Sequence, residues 1–431
     1  MLYSTFGDKL NRIYGIGYSI IFILLSLIDS IVSPMEPELF NDTHYEAAVL
    51  SFSSSEEASY TTIVKATFRM VNGSWAESAE EQIPLTGADI LCNDMQEMAI
   101  CYESDFLPFK PRADALCVGK VYGPAGKAIT ECLIRFSVGP VNKTIRVFGN
   151  RYWEKNFDRI GSLVIGPKPF KSIDVSFENA YGGKDPNDPG GFMFYAFNPI
   201  GKGYTNKDSG LKGLALPNLE DPRQPIKHWQ DRVVPKSFGP VGRTWMPRIQ
   251  RAGTYDTRWL EHRSPELPED FDEAYYNCAP VDQQIAGYLR GDEEVRIDNM
   301  HPEYPLFRCR LPGVRVRSFV DRKTQEKSQL EEIPMNLDTL WVDMEALTMV
   351  LVWRGRIPEA GLDSDLPVLI VEELLEAEPR PSESYREKLQ EFQNEEQDTE
   401  SEAEEAESEV AAMDRISEDG SSDIEIESQV S

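Results

Sequence analysis

Apolar and polar residues alternate with period two in several stretches of the chain, the pattern of a strand with one buried face. Val64, Ala66, Phe68 and Met70 form one row while Lys65, Thr67 and Arg69 form the other. The alternation recurs at Cys132/Ile134/Phe136/Val138, Ile145/Val147, Val295/Ile297 and Val314/Val316, and LDTLWVDM is followed by the apolar TMVLVW. Turn-rich stretches such as Gly123-Pro124-Ala125-Gly126 and the run from Lys184 to Gly191 lie between them, and helical periodicity is scarce. This predicts a mainly β fold over residues 40–357, with packed antiparallel sheets, few helices and long ordered loops from about 154 to 290. Connections of that length need their own packing. Trp229, Phe238, Trp245, Tyr255, Trp259, Phe271, Tyr275 and Tyr276 supply the apolar area for it.

The two ends differ from the middle. After an apolar patch at 366–375, the chain becomes QNEEQDTESEAEEAESEV and SEDGSSDIEIESQVS, which predicts an acidic, disordered C-terminal tail over 377–431, with a transient helix over 383–412 as the alternative reading. Residues 13–28 are apolar and follow Lys9 and Arg12, in imitation of a signal peptide or membrane anchor. Asp29 interrupts that run short of the ~20 residues a span needs, and no small-x-small cleavage site follows. Because Met35 opens soluble-looking sequence, residues 1–34 read best as an apolar leader from a misplaced start; an anchor and a cleaved signal are the rival readings. The expected body is therefore residues 35–376.

The formal charge of -29 is unevenly spread. Residues 372–431 carry 22 acids and 4 basic groups, net -18, which leaves -11 for residues 1–371. An acidic surface without a Lys/Arg stripe and interleaved aromatics argues against nucleic acid and leaves a basic protein partner open. Six cysteines without C-x-x-C spacing read as reduced core residues of a cytoplasmic protein, with disulfides as the competing reading. The four histidines are scattered and no serine sits in G-x-S-x-G, so no metal or cofactor is expected.

Three segments invite a chemical reading. In Tyr102–Asp114, Glu103 and Asp105 resemble a catalytic carboxylate pair, but Lys110 and Arg112 lie close enough to neutralise them, which favours an ion-paired loop. Phe177–Gly183, with Glu178 and Gly183, and Asn198–Tyr204 are glycine-rich without matching a phosphate loop, so tight turns with glycine at positive φ are expected. Asp256, Asp270 and Asp272 lie among Tyr255, Trp259 and Phe271, surroundings suited to a glycoside hydrolase; capping of turns and helix starts is the plainer role.

In this order the segments resemble one family, the domain of unknown function numbered 2169, found beside type VI secretion effectors. The likeness runs from Val64-Lys65-Ala66 through Tyr102–Pro111 with Asp105, Lys110 and Asp114, to Gly149-Asn150-Arg151-Tyr152-Trp153 and Phe177–Gly183. It continues through Asn198–Tyr204, Leu216–Glu220 with Asn218, Phe238-Gly239-Pro240, Trp245–Arg248 and Ala252–Asp256 with Tyr255. Ala279–Gln284 with Asp282 and Gln283, then Gly291-Asp292-Glu293 and Trp353-Arg354-Gly355, complete it. Asn150 stands where the family pattern leads one to expect Asp, and the acidic tail lies outside the pattern.

The resemblance implies a non-enzymatic, cytoplasmic adaptor or chaperone that binds a cognate secreted effector and helps load it onto a VgrG or PAAR spike protein. Lys110, Arg151, Arg248, Asp256 and Asp282 are equally expected as internal ion pairs holding long loops. Two rivals remain: a carbohydrate-directed hydrolase using two of Glu178, Asp256, Asp270 and Asp272, and a membrane-tethered structural subunit if residues 1–34 are genuine.

Overall fold

The computed structural model describes residues 37–52, 59–92, 99–155, 162–323, 328–358 and 367–395. Three sheets dominate. In the largest, Ala113–Val118, Asn336–Asp343, Thr348–Pro358, Ser59–Arg69 and Glu46–Phe52 lie side by side in that order, with Gln284–Ile285 at one edge and Glu77–Ser78 paired to the end of Ser59–Arg69. The second orders Leu219–Glu220, Val141–Phe148, Glu131–Val138, Glu294–Asp298 and Leu306–Arg310. The third orders Leu39–Asn41, Val368–Leu374, Val314–Lys323 and Ser328–Ile333.

The mainly β expectation holds, and the alternating rows explain the layering. Val64, Ala66 and Phe68 from the largest sheet meet Ile134, Phe136, Ile145 and Val147 from the second in one core that also takes in Trp353. The third sheet packs Val320, Ile333 and Val368 against Val49 and Ile357 of the largest. Most pairings are antiparallel. Ala113–Val118 runs parallel to Asn336–Asp343, as Leu39–Asn41 does to Val368–Leu374, because sequence-distant partners need no hairpin between them.

One expectation is corrected at the strands themselves. A half-buried sheet would leave Lys65 and Thr67 in water, yet both are buried, as are Asp114 and Arg354 on neighbouring strands. Long loops cover this polar face. Between Phe148 and Glu294 the chain has only one α-helix among the described residues, Thr257–His262, with short turns and two-residue ladders. Aromatic contacts hold this stretch: Phe177 meets Trp245 edge-on at 5.4 Å, Tyr255 meets Trp259 at 4.7 Å and Phe271 meets Tyr275 at 5.7 Å.

The tail boundary is also corrected. A 3₁₀ turn, Ser382–Tyr385, leads into a helix over 386–395, inside the stretch expected to be disordered. Tyr385 and Leu389 are buried against Phe40, Phe319, Leu330, Leu369 and Val371, and Phe392 stacks on Phe40 at 5.8 Å. The reason is spacing: Tyr385, Leu389 and Phe392 recur at i, i+4 and i+7, an apolar stripe hidden among charges. Leu389→Ala is therefore expected to cost about 2–3 kcal/mol in urea denaturation. A loss below about 0.5 kcal/mol, the level of an ordinary surface change, would detach this helix from the fold.

Cys92 and Cys101 form a disulfide, which corrects the expectation of six reduced cysteines. The pair is local. Leu91 and Ile100 are partners in the two-stranded hairpin, and the amide of Cys92 donates to the Ala99 carbonyl, so the hairpin brings the two Cα atoms within 4.9 Å. Cys117, Cys278 and Cys309 are free and buried, and Cys132 is free and half-buried. No described helix is long and apolar enough to cross a membrane; the leader, residues 1–34, lies outside the described residues, as does the tail beyond 395.

Candidate functional site

The polar face of the largest sheet carries a buried network of charges, completed by the loops laid over it. Lys65, on Ser59–Arg69, donates to Asp105 Oδ2 at 2.8 Å and to the Pro84 carbonyl at 2.8 Å, with the Tyr102 ring 4.5 Å away. Asp105 also accepts from the Thr86 amide at 2.8 Å and the Tyr102 hydroxyl at 3.0 Å, while its own carbonyl accepts from Arg354 at 2.7 Å. Arg354 pairs with buried Asp338. Asp114 accepts from Lys110 at 2.8 Å, from Asn277 Nδ2 at 2.9 Å and from the amides of Cys278 and Ala279 at 2.9 and 3.2 Å. One carboxylate thus pins a strand to a loop more than 160 residues away.

Glu103 joins the remaining loops. It pairs with Arg248, with Arg243 at 3.3 Å and with Lys110 at 3.3 Å, while Arg248 also donates to the carbonyls of Tyr275 and Val241, each at 2.9 Å. Arg243 forks onto Asp89 at 2.5 and 2.8 Å. Burial opposes ionisation of Glu103, but Arg248, Arg243 and Lys110 outweigh it and hold the carboxyl well below the usual range. Burial likewise opposes the charge on Lys110, and Asp114 reverses that. At Asp338 burial wins over Arg354 and pushes the carboxyl up.

Glu103, Asp114 and Cys278 present ligand atoms within 4.8 Å of one another, a spacing a metal could use. The ammonium of Lys110 already sits between the two carboxylates, and burial pushes the Cys278 thiol well above its ordinary value. A thiol that holds its proton and a resident cation do not fit a metal site.

Other motif residues lock the loops elsewhere. Arg151 donates to Glu220 at 2.5 Å and to the Pro217 carbonyl at 2.7 Å, lying 3.7 Å over Phe148. Asn218 donates to the Phe148 carbonyl and to Asn150 Oδ1, and accepts from Lys202 at 3.0 Å, so the amide at position 150 has a hydrogen-bonding role that needs no acid. Trp153 is buried with Leu211 and Leu216. Gln283 donates to the carbonyls of Ala115 and Phe238 and accepts from Lys143 at 2.6 Å. Asp282 receives Lys143 at 2.8 Å and Lys236 at 3.2 Å.

Burial outweighs Asp282 at Lys143 and brings its ammonium down to about 8. Below that value both folded and unfolded chains carry the proton; between about pH 8 and the ordinary lysine value only the unfolded chain does, so stability rises with pH there. Lys143→Gln is expected to flatten that rise relative to wild type in denaturation series at pH 7.5 to 10. Parallel curves would mean that Lys143 keeps its proton throughout.

The acids proposed for hydrolysis have structural duties. Asp256 caps Thr257–His262 by accepting from the Trp259 amide, Asp272 accepts from the Ala274 amide, and Asp270 accepts from the amide and hydroxyl of Thr254. Glu178 lies half-buried on the Phe177–Asn179 turn. Asp89, Arg243, Asp338 and Lys143 escaped sequence reasoning. Only Asp338 left a signal, as a lone acid inside the apolar LDTLWV run.

What these contacts define is a rigid β scaffold with its loops locked down by buried ion pairs. The chain belongs to a bacterial family described as "Uncharacterized protein conserved in bacteria (DUF2169)", whose model matches residues 55–354. That range opens before Lys65 and closes on Arg354, so it contains the whole network. Comparisons with curated proteins and with solved structures find no match.

Proposed function

We propose that this protein is a binding module, an adaptor or chaperone that holds a cognate type VI effector and helps present it to a VgrG or PAAR spike protein. The supporting observation is a preorganised apolar loop. Phe192, Met193 and Phe197 are 60%, 43% and 39% exposed, an unusual concentration of large apolar surface on one short segment. The loop is nevertheless braced. Buried Asp185 accepts from the amides of Asn187 and Asn206 and from the Thr205 hydroxyl, Asp188 accepts from the Met193 amide, and Tyr195 stands among Tyr181, Phe197 and Tyr204. A rigid aromatic loop loses little freedom on binding, which suits a hot spot.

The experiment is co-purification of the tagged full chain with the products of adjacent effector and spike genes. Capture is expected, and Phe192→Ala with Phe197→Ala should weaken it by about thirty-fold, the scale of losing a hot spot. Failure to capture any of those products sinks the adaptor reading.

A further inference from the structure

The outer face of the five-stranded sheet is rich in arginine, in a chain whose net charge is -29. Arg135, Arg146, Arg296, Arg308 and Arg310 point away from the core on successive strands; among the described residues the acids on that face of the sheet's strands are Glu131, Glu294 and Asp298, with Glu220 at the edge already held by Arg151. Glu131 is taken by Arg146 at 3.1 Å and Asp298 by Arg296 at 3.0 Å. Arg135, Arg308 and Arg310 make no ion pair among the described residues; Arg310 lies 5.3 Å from the Trp75 ring. Arg308 stands directly opposite Arg296, whose guanidinium is already held by Asp298, while Arg310 and Arg135 stand opposite Glu294 and Asp298 without an ion pair to either. Leu133 and Leu306, 50% and 41% exposed, lie on the same face.

Residues 396–431 have the complementary character. They hold fourteen acids against the single Arg415, and near their end Asp423, Glu425 and Glu427 alternate with Ile424 and Ile426. Acids at i and i+2 of an extended segment stand about 6.7 Å apart, the same spacing as Arg308 and Arg310 along their strand. Thirty-six residues reach over roughly 100 Å when extended, against a radius of gyration of about 20 Å for a body this size, so every face is within reach of residue 395.

We propose that residues 396–431 dock on this face of their own chain, carboxylates on the three unpaired arginines and isoleucines against Leu133 and Leu306. The tail then masks a surface that any other acidic partner must win by displacement.

Limited digestion of the full chain with proteinase K, followed by intact mass, tests this. At low salt, loss of residues 396–431 is expected about five-fold more slowly in wild type than in Arg135→Ser/Arg308→Ser/Arg310→Ser, and both should converge near 0.5 M salt, where such contacts are screened. Asp423→Asn/Glu425→Gln/Glu427→Gln leaves the body untouched and should behave like the arginine variant. Equal rates in all three proteins overturn the proposal. Protection that grows with protein concentration also overturns it, because the tail then lies on a second copy.

Discussion

Replacing Asp114 by alanine is expected to cost about 3–5 kcal/mol, since it takes the closer of two carboxylates from buried Lys110 and strands two backbone amides at once. Asp114 is fully buried and receives Lys110, the Asn277 side chain and the amides of Cys278 and Ala279. Asp114→Asn keeps the shape and one acceptor, so its loss should be smaller. Urea denaturation followed by tryptophan fluorescence measures both, and a loss under about 1 kcal/mol for alanine would mean that water reaches the network. Acid provides an independent check. Glu103 has its carboxyl held low, so its contribution is complete above the ordinary carboxylate value and disappears only as pH falls through the depressed one. Glu373, brought down to about 2 against burial by Tyr385, Arg315 and Arg317, loses its share between about pH 4.5 and 2. Unfolding well above that window would contradict both assignments.

Gly183→Ala is expected to cost about 3–4 kcal/mol, combining backbone strain with a collision. Gly183 has φ +91°, and an added Cβ would stand 2.2 Å from the Gly201 carbonyl oxygen, a backbone atom that cannot swing aside. The glycine-rich segments Phe177–Gly183 and Asn198–Tyr204 are glycine-rich because they touch. Tyr181–Gly182 pairs in parallel with Lys202–Gly203, and Asn198 ties both by donating to the carbonyls of Phe177 and Tyr181. Gly73→Ala is the control: φ is +83°, yet nothing lies within 4 Å of the added carbon, so only the conformational cost of about 1 kcal/mol should appear. Similar losses at both positions would refute the close approach.

Much of the architecture was legible in advance. Apolar rows located three strands in each of the two principal sheets, because each keeps one side for the shared core, and left Glu46–Phe52, Ala113–Val118, Leu219–Glu220 and Leu306–Arg310 unread. Turn chemistry was legible at Gly183, and the ion-paired loop was legible at Glu103 and Lys110, because oppositely charged residues lay within one short segment. A helix within 383–412 was read only as transient, and its docking at 386–395 was missed because three apolar residues were judged against the charge around them rather than by their spacing.

Sequence by itself determined the β class, the inward rows at Val64–Met70 and Cys132–Val138, and the likeness to one family, all properties of neighbours along the chain. Only the tertiary structure decided that Lys65, Asp114 and Arg354 are buried rather than exposed. The physical reason is that a charged residue on an alternating strand looks solvent-facing until something covers it. Here the cover comes from loops 40 to 249 residues away along the chain, and Glu103, Asp105, Arg243 and Arg248 arrive with it to pair the charges.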